Sequence, residues 1–445
     1  MRNWCAPRQN DLAVASASDH ENIALVTSPA EVDRINAEFY GAYPYPWRPL
    51  RLERLLDRNF SRRLLCQAFG DWGGKSIPEH ADMWVAGCGT NQAAITALNF
   101  PSARVVGSDI SRPSLDLCAR TASELHLNNL TLRQESLNDD LYKEKFDYIL
   151  CTGVIHHTAD PSVPLRRIAA ALKRTGVLEL MVYNRFHRTL TTAFQKAVRI
   201  LAGQESGVTP GSPDEMAIAT AIVSGFPVEC QMRSFLEHYK ESQRVQFADA
   251  LMQPVEYSYT VESLNALATS CGLELLVPAV SMFDRAAGSF RWNLRFPSEE
   301  LDKRYGALDD LRRWQVTNLL LAERSPMLWF YLRRSDSEIP RVPEKQVCET
   351  FLDSCFVRAE TMKQPYLLAE EGCYVESGGP IKFPVAPAGT MLGRIVAAAD
   401  GKARMRDILD RLGVCGGMAE AADLRLQLTV PAFPYLIVRD GETAH

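Results

Sequence analysis

Met83-Trp84-Val85-Ala86-Gly87-Cys88-Gly89-Thr90-Asn91 opens the stretch that decides the fold, and Arg104-Val105-Val106-Gly107-Ser108-Asp109 closes it. The first four residues read as a buried strand, which the glycine pair breaks. Residues 92–100 read as a helix stopped by Pro101, because proline disfavours helical backbone at the residue before it. A second strand follows and ends on a carboxylate. Such a strand–turn–helix–strand unit leaves room for a ligand against the bare backbone of the glycine turn. Asp109, twenty residues after Gly89, is placed to accept hydrogen bonds from ribose hydroxyls. Gln92 stands where a dinucleotide fingerprint needs its third glycine, which disfavours NAD or FAD.

The downstream sequence narrows the choice. Residues 130–136 are a third strand ending on the polar pair Glu135-Ser136, and residues 146–161 hold a fourth strand with its loop, Gly153-Val154-Ile155-His156-His157-Thr158-Ala159-Asp160-Pro161. Residues 165–173 form an amphipathic helix, and 176–183 a fifth strand. This succession resembles the class I S-adenosylmethionine (SAM)-dependent methyltransferases over roughly residues 81–185. The resemblance implies an α/β, Rossmann-like fold with a seven-stranded sheet whose last strand runs antiparallel between the fifth and sixth. It also implies SAM as cofactor. By that likeness Gly87 and Gly89 line its methionine part, Asp109 holds the ribose, and Glu135 and Ser136 flank the adenine; Cys88, Asn91, Ile110 and Thr152 belong to the same cofactor crevice. Two positions depart from the family pattern. Val85 replaces the usual acid two residues before the first glycine, so the SAM ammonium needs another acceptor, and Asn91 replaces the last glycine.

Composition sets the remaining bounds. The chain has 445 residues, 46% apolar and 23% charged, the profile of an ordinary globular protein longer than one typical domain. A formal charge of −5 gives no general attraction to nucleic acid or anionic membranes. No apolar run suits a membrane span, and residues 1–28 carry neither a secretory nor a transit signal, so the expected location is cytoplasmic. Eleven scattered cysteines without a C-x-x-C pair read as reduced thiols, with no metal site.

Along the chain, residues 1–50 are expected to be a polar tail followed by an aromatic and proline-rich lid at 35–49, including Tyr40 and Tyr43, with the prolines forbidding a regular helix. Residues 51–335 are expected to form the methyltransferase domain, starting with a helix over 52–69 and carrying a helical insertion at 186–257 that suits an acceptor pocket. Residues 203–213 read as a loop, Thr260 as a helix N-cap, and 273–280 and 327–334 as the last two strands. After a proline-bearing linker, 345–445 reads as a small α+β accessory module with short helices and a closing strand, in the manner of small winged-helix modules. Its surroundings, 336–445, hold 12 Lys and Arg against 16 Asp and Glu, which argues against nucleic acid.

His156, His157 and Tyr183 are the catalytic candidates, and Asn184 a further acceptor-facing group, because all follow the carboxyl ends of the fourth and fifth strands. Two functional classes result. One is a methyltransferase acting on an O, N or C atom of a small metabolite or natural product, or of a peptide or protein held by the C-terminal module. The other is a SAM-binding regulator without turnover. The partner is thus a small-molecule or peptide methyl acceptor, with neither nucleic acid nor membrane involved.

Overall fold

The computed structural model describes residues 28–203, 213–414 and 417–439. The expected tail at 1–27, most of the expected 203–213 loop, and Cys5 and Cys415 lie outside the described residues; the nine described cysteines are free thiols.

The chain enters through α1 (Pro29–Ala42), β1 (Arg51–Leu55) and α2 (Phe60–Ala68). The main sheet begins with β2 (Asp82–Ala86), α3 (Gln92–Asn99), β3 (Arg104–Asp109), α4 (Arg112–Glu124) and β4 (Leu130–Gln134). It continues through β5 (Phe146–Thr152), α5 (Ser162–Ala171) and β6 (Leu172–Val182). The insertion supplies α6 (Arg185–Leu201), α7 (Pro213–Gly225), α8 (Gln231–Glu237) and α9 (Arg244–Leu251). Then come α10 (Val261–Ser270), β7 (Leu273–Pro278), α11 (Met282–Ala287), α12 (Glu299–Gly306), α13 (Asp310–Leu321) and β8 (Leu328–Arg334). The sheet order is β4-β3-β2-β5-β6-β8-β7. β8 runs antiparallel to both β6 and β7 while the other pairs are parallel, so the expected topology is present.

Both faces of this sheet are covered, as parallel strands require. Trp84, Ile149, Leu178, Leu180 and Phe330 point to one face and share a core with Leu165, Leu264 and Trp314 of α5, α10 and α13. Met83, Val85, Val105 and Tyr148 point to the other, where α2 and α3 lie.

Two expected elements are corrected. The lid region is helical as far as Ala42: Ser28 caps α1 by accepting from the Glu31 N–H at 3.3 Å, and Pro44, Pro46 and Pro49 lie beyond the helix. Only residues 43–50 leave the helix for an irregular path of bends, where the prolines lie. The helix expected over 52–69 is β1 followed by the shorter α2. β1 is held open by a partner more than 300 residues away, pairing Leu52 with Tyr366 and Arg54 with Gln364. Local periodicity carries no trace of such a partner.

That partner lies in the C-terminal segment, which holds α14 (Glu344–Asp353), β9 (Cys355–Arg358), β10 (Thr361–Leu368), β11 (Tyr374–Glu376), β12 (Ile381–Phe383), α15 (Met391–Ala398), β13 (Asp400–Arg404), α16 (Met405–Arg411), α17 (Met418–Thr429), β14 (Phe433–Pro434) and β15 (Leu436–Val438). β1, β11 and β12 flank or pair with β10 in one small sheet, and β13-β9-β15 form another. The expected division near residue 335 therefore separates neither the sheets, since β1 pairs with β10, nor the cores. Val347, Phe351, Phe356, Leu426 and Leu436 are packed into the same cluster as Leu65, Phe69, Trp72 and Met83. No helix among the described residues is long and apolar enough to cross a membrane.

Candidate active site

The turn after β2 is built around two glycines with φ of +72° and +54°. A Cβ on Gly87 would meet Val154 Cγ2 at 2.4 Å, and one on Gly89 would meet the Tyr45 carbonyl oxygen at 2.6 Å. Both positions therefore demand glycine on space as well as on backbone conformation. Gly87 N and Cys88 N each donate to Ser108 O at 2.9 Å, tying the turn to β3. Asp109, at the end of β3, accepts from Gly89 N and from Ser111 N, both at 2.8 Å. Burial raises its carboxyl above the usual range, while these backbone hydrogen bonds pull it back down.

The 43–50 segment crosses over this turn. Thr90 N donates to Tyr45 O at 3.3 Å, Thr90 Oγ1 to Pro46 O, and Asn91 Nδ2 to Trp47 O at 3.1 Å. α1 fixes the start of the strap, with Asn36 Nδ2 donating to His157 O at 2.7 Å and Asp33 accepting from Ser136 Oγ and Asn138 Nδ2. Gly89→Ala is expected to cost roughly 1–3 kcal/mol of stability, because an alanine would hold a left-handed backbone and push against the strap. Chemical denaturation would measure it; a wild-type midpoint would contradict this seating.

Beneath the strap lies a cavity of about 1050 Å³. Gly87, Cys88, Gly89, Asn91, Asp109, Ile110, Glu135 and Thr152 line it, as do Tyr40, His157 and Tyr183. Ser136, Tyr43, His156 and Asn184 are not among its lining residues. Ser136 is engaged by Asp33. Tyr43 packs against Phe39 outside the cavity and holds Arg244 over its ring. Asn184 caps α6 and donates to Ser325 Oγ and Pro326 O at 2.9 and 3.0 Å. His156 is fully enclosed, its ring 4.0 Å from that of Tyr183, and neither of its nitrogens has a described partner. Val85 is buried in the core, off the cavity wall.

His157 makes a 2.7 Å contact from Nδ1 to the Val255 carbonyl, so that nitrogen carries the proton. Burial pushes its pKa down to about 4, which leaves the imidazole neutral at pH 7. Tyr183 is clamped between the His156 ring and the Arg188 guanidinium, which sits 4.3 Å from its ring centroid. Arg188 is fixed in turn by two 2.6 Å bonds to the buried Glu256. Such a bidentate pair holds its geometry well.

Tyr45 of the expected lid also lines the cavity, and so does Asp249 from α9, which the sequence reading did not single out. Gln253 Nε2 donates to Asp249 Oδ1 at 3.0 Å and meets the Tyr40 hydroxyl at 3.1 Å, linking the insertion to α1. No described hydrogen bond occupies Asp249 Oδ2. Burial pushes this carboxyl up to about 7, against the opposing pull of Arg188 and Gln253.

Comparison with known proteins agrees with this layout. Residues 84–178 match the family model described as a methyltransferase domain. An uncharacterized protein of Synechococcus sp. is 28% identical over 72% of this chain and 78% of its own length. A ubiquinone biosynthesis O-methyltransferase of Nitrobacter winogradskyi is 27% identical over 42% of this chain and 75% of its own. Among solved structures, PKMT2 from Rickettsia typhi in complex with AdoHcy has a TM-score of 0.55 at 15% identity, covering 85% of this chain and 76% of that one, a likeness of fold. Sheet order, family match and relatives converge, and the chain carries a class I S-adenosylmethionine-dependent methyltransferase domain.

Proposed function

We propose that this enzyme methylates an oxygen or nitrogen atom of a small metabolite, with the acceptor seated between the strap and the insertion. The observation that carries this reading is Asp249, whose unoccupied oxygen belongs to a carboxylate on the wall of the same cavity as the glycine turn. The relatives named as ubiquinone biosynthesis O-methyltransferases are compatible with it.

The residues present fit SAM. The turn at Gly87–Gly89 borders the cavity, and its glycines put bare backbone on that wall. Asp109 spends one lone pair of each oxygen on a backbone N–H and keeps the other for a ribose diol. Glu135, Leu137 and Asn138 form the neighbouring wall, where the adenine belongs. When bound, the sulfonium supplies an already activated methyl group. The protein's part is alignment, which can lower the barrier by about 7–11 kcal/mol, and removal of the acceptor's proton.

Asp249 is the group suited to take that proton, since a carboxyl near 7 is ionised in good part at neutral pH and still basic enough to accept. His157 is the weaker base and orients the acceptor through its remaining nitrogen. Tyr183, locked by stacking, presents its hydroxyl as a positioning donor. Incubating the enzyme and a metabolite extract with deuteromethyl-labelled SAM, followed by mass spectrometry, tests this reading. A labelled small molecule is expected, and label found only on protein would contradict it.

A further inference from the structure

The cavity extends well beyond the cofactor turn, onto the face of the central strands. Register places Val85, Leu150, Glu179 and Tyr331 in one row across β2, β5, β6 and β8, and Thr152, Met181 and Trp329 in the row above. Leu150, Thr152, Glu179, Met181 and Trp329 are all partly exposed, although these strands lie in the middle of the protein. Their neighbours on the opposite face, Ile149, Cys151, Leu178, Leu180 and Phe330, are 0% exposed. One face of the central sheet is therefore close-packed, and the other fronts a chamber closed by Phe60 and Leu64 of α2 and by Phe383. Its outer end is lined by Met282 and Phe283, which are 60% and 67% exposed. Its inner end meets the Thr152–Met181 rim of the cofactor crevice.

Glu179 stands on the wall of this chamber among Tyr148, Leu150, Trp329 and Tyr331. Trp329 Nε1 donates to its Oε1 at 2.8 Å, and the Tyr148 hydroxyl donates to its Oε2. Burial raises its carboxyl above the usual range, and these bonds pull it back toward the charged form. No described lysine or arginine pairs with Glu179, unlike the buried acids Glu256 and Glu344, which face Arg188 and Arg313. A carboxylate held by hydrogen bonds, ringed by aromatic edges and lacking a counter-ion is suited to receive a cation from outside.

Resting on the methyl-transfer reading above, we propose that this chamber seats a protonated amine on an apolar stem, with Glu179 as its counter-ion, as the anchoring part of the methyl acceptor. The ammonium of SAM does not fill this role. Glu179 is two strands from Val85, about 9–10 Å at ordinary strand spacing, and one side-chain layer below the row level with the glycine turn. The exposed apolar mouth at Met282 and Phe283 suits the stem.

The test titrates the full-length protein, saturated with S-adenosylhomocysteine, with n-hexylammonium and with n-hexanol, in wild type and Glu179→Gln. The ammonium is expected to bind wild type about 10- to 100-fold more tightly than the alcohol, and the substitution to erase that difference while leaving S-adenosylhomocysteine affinity unchanged. Equal affinities in wild type, or binding of neither probe, would overturn the proposal. So would weaker S-adenosylhomocysteine binding in Glu179→Gln, which would assign the acid to the cofactor. Should that variant fail to fold, Glu179→Met removes the charge within an apolar wall and is read in the same way. Asp109→Ala checks the cofactor seat separately, so its failure is distinguishable from that of the chamber.

Discussion

A chain ending at Arg334 is expected to yield no folded protein. All seven strands of the main sheet are complete at that point, yet the face carrying Leu65, Phe69 and Trp72 would lose Val347, Phe351, Phe356, Leu426 and Leu436. Trp72 alone packs on Phe351 and Phe356 with ring centroids 6.2 and 5.8 Å away. Burying each such side chain contributes about 1.5–3 kcal/mol, so losing five partners removes roughly as much as the 5–15 kcal/mol that holds a domain folded. Polar losses add to this. Gln67 gives up its bonds to Thr429 O, Leu436 O and Val438 N, and Arg313 is left buried without Glu344. Circular dichroism of the truncated chain is the check. A soluble product with a cooperative melt would show that the C-terminal segment is dispensable for folding.

Asp249→Asn is expected to lower kcat by about 10²–10⁴-fold, the usual worth of a positioned base, with SAM affinity unchanged. The substitution keeps the size and the bond to Gln253 but cannot accept a proton. The pH profile separates this from a structural defect. A base must be ionised to act, so kcat/KM of the wild type should rise with pH through about 7 and level off above it. His156 and His157, both held neutral by burial, contribute no limb near neutrality. The rising limb should be missing in Asp249→Asn. A variant with near-normal turnover, or one that keeps the limb, would remove Asp249 from the chemistry.

The βαβ unit and the glycine turn were legible because each rests on local pattern: apolar runs, turn residues and a proline stop. The antiparallel direction of β8 was implied only by the family resemblance, since strand direction leaves no mark in local periodicity. The helix expected at the start of the core was not, since β1 exists only by pairing with β10. The histidines drew attention through an ordinary pKa near neutrality that burial then lowers. Asp249 was hidden because it is one of several acids spread over the helical insertion, and only packing turns it toward Tyr40 and the cavity. Glu179 did leave a signal, a lone carboxylate at the alternating position of an apolar central strand, between Val177 and Met181.

The seat of the cofactor is the claim on which everything else depends, and calorimetric titration of SAM into wild type and Asp109→Ala tests it most directly. One site per chain is predicted, weakened by about 1.5–3 kcal/mol in the variant through loss of hydrogen bonds to a charged group. Equal affinity in the two proteins would contradict the placement of SAM over the glycine turn.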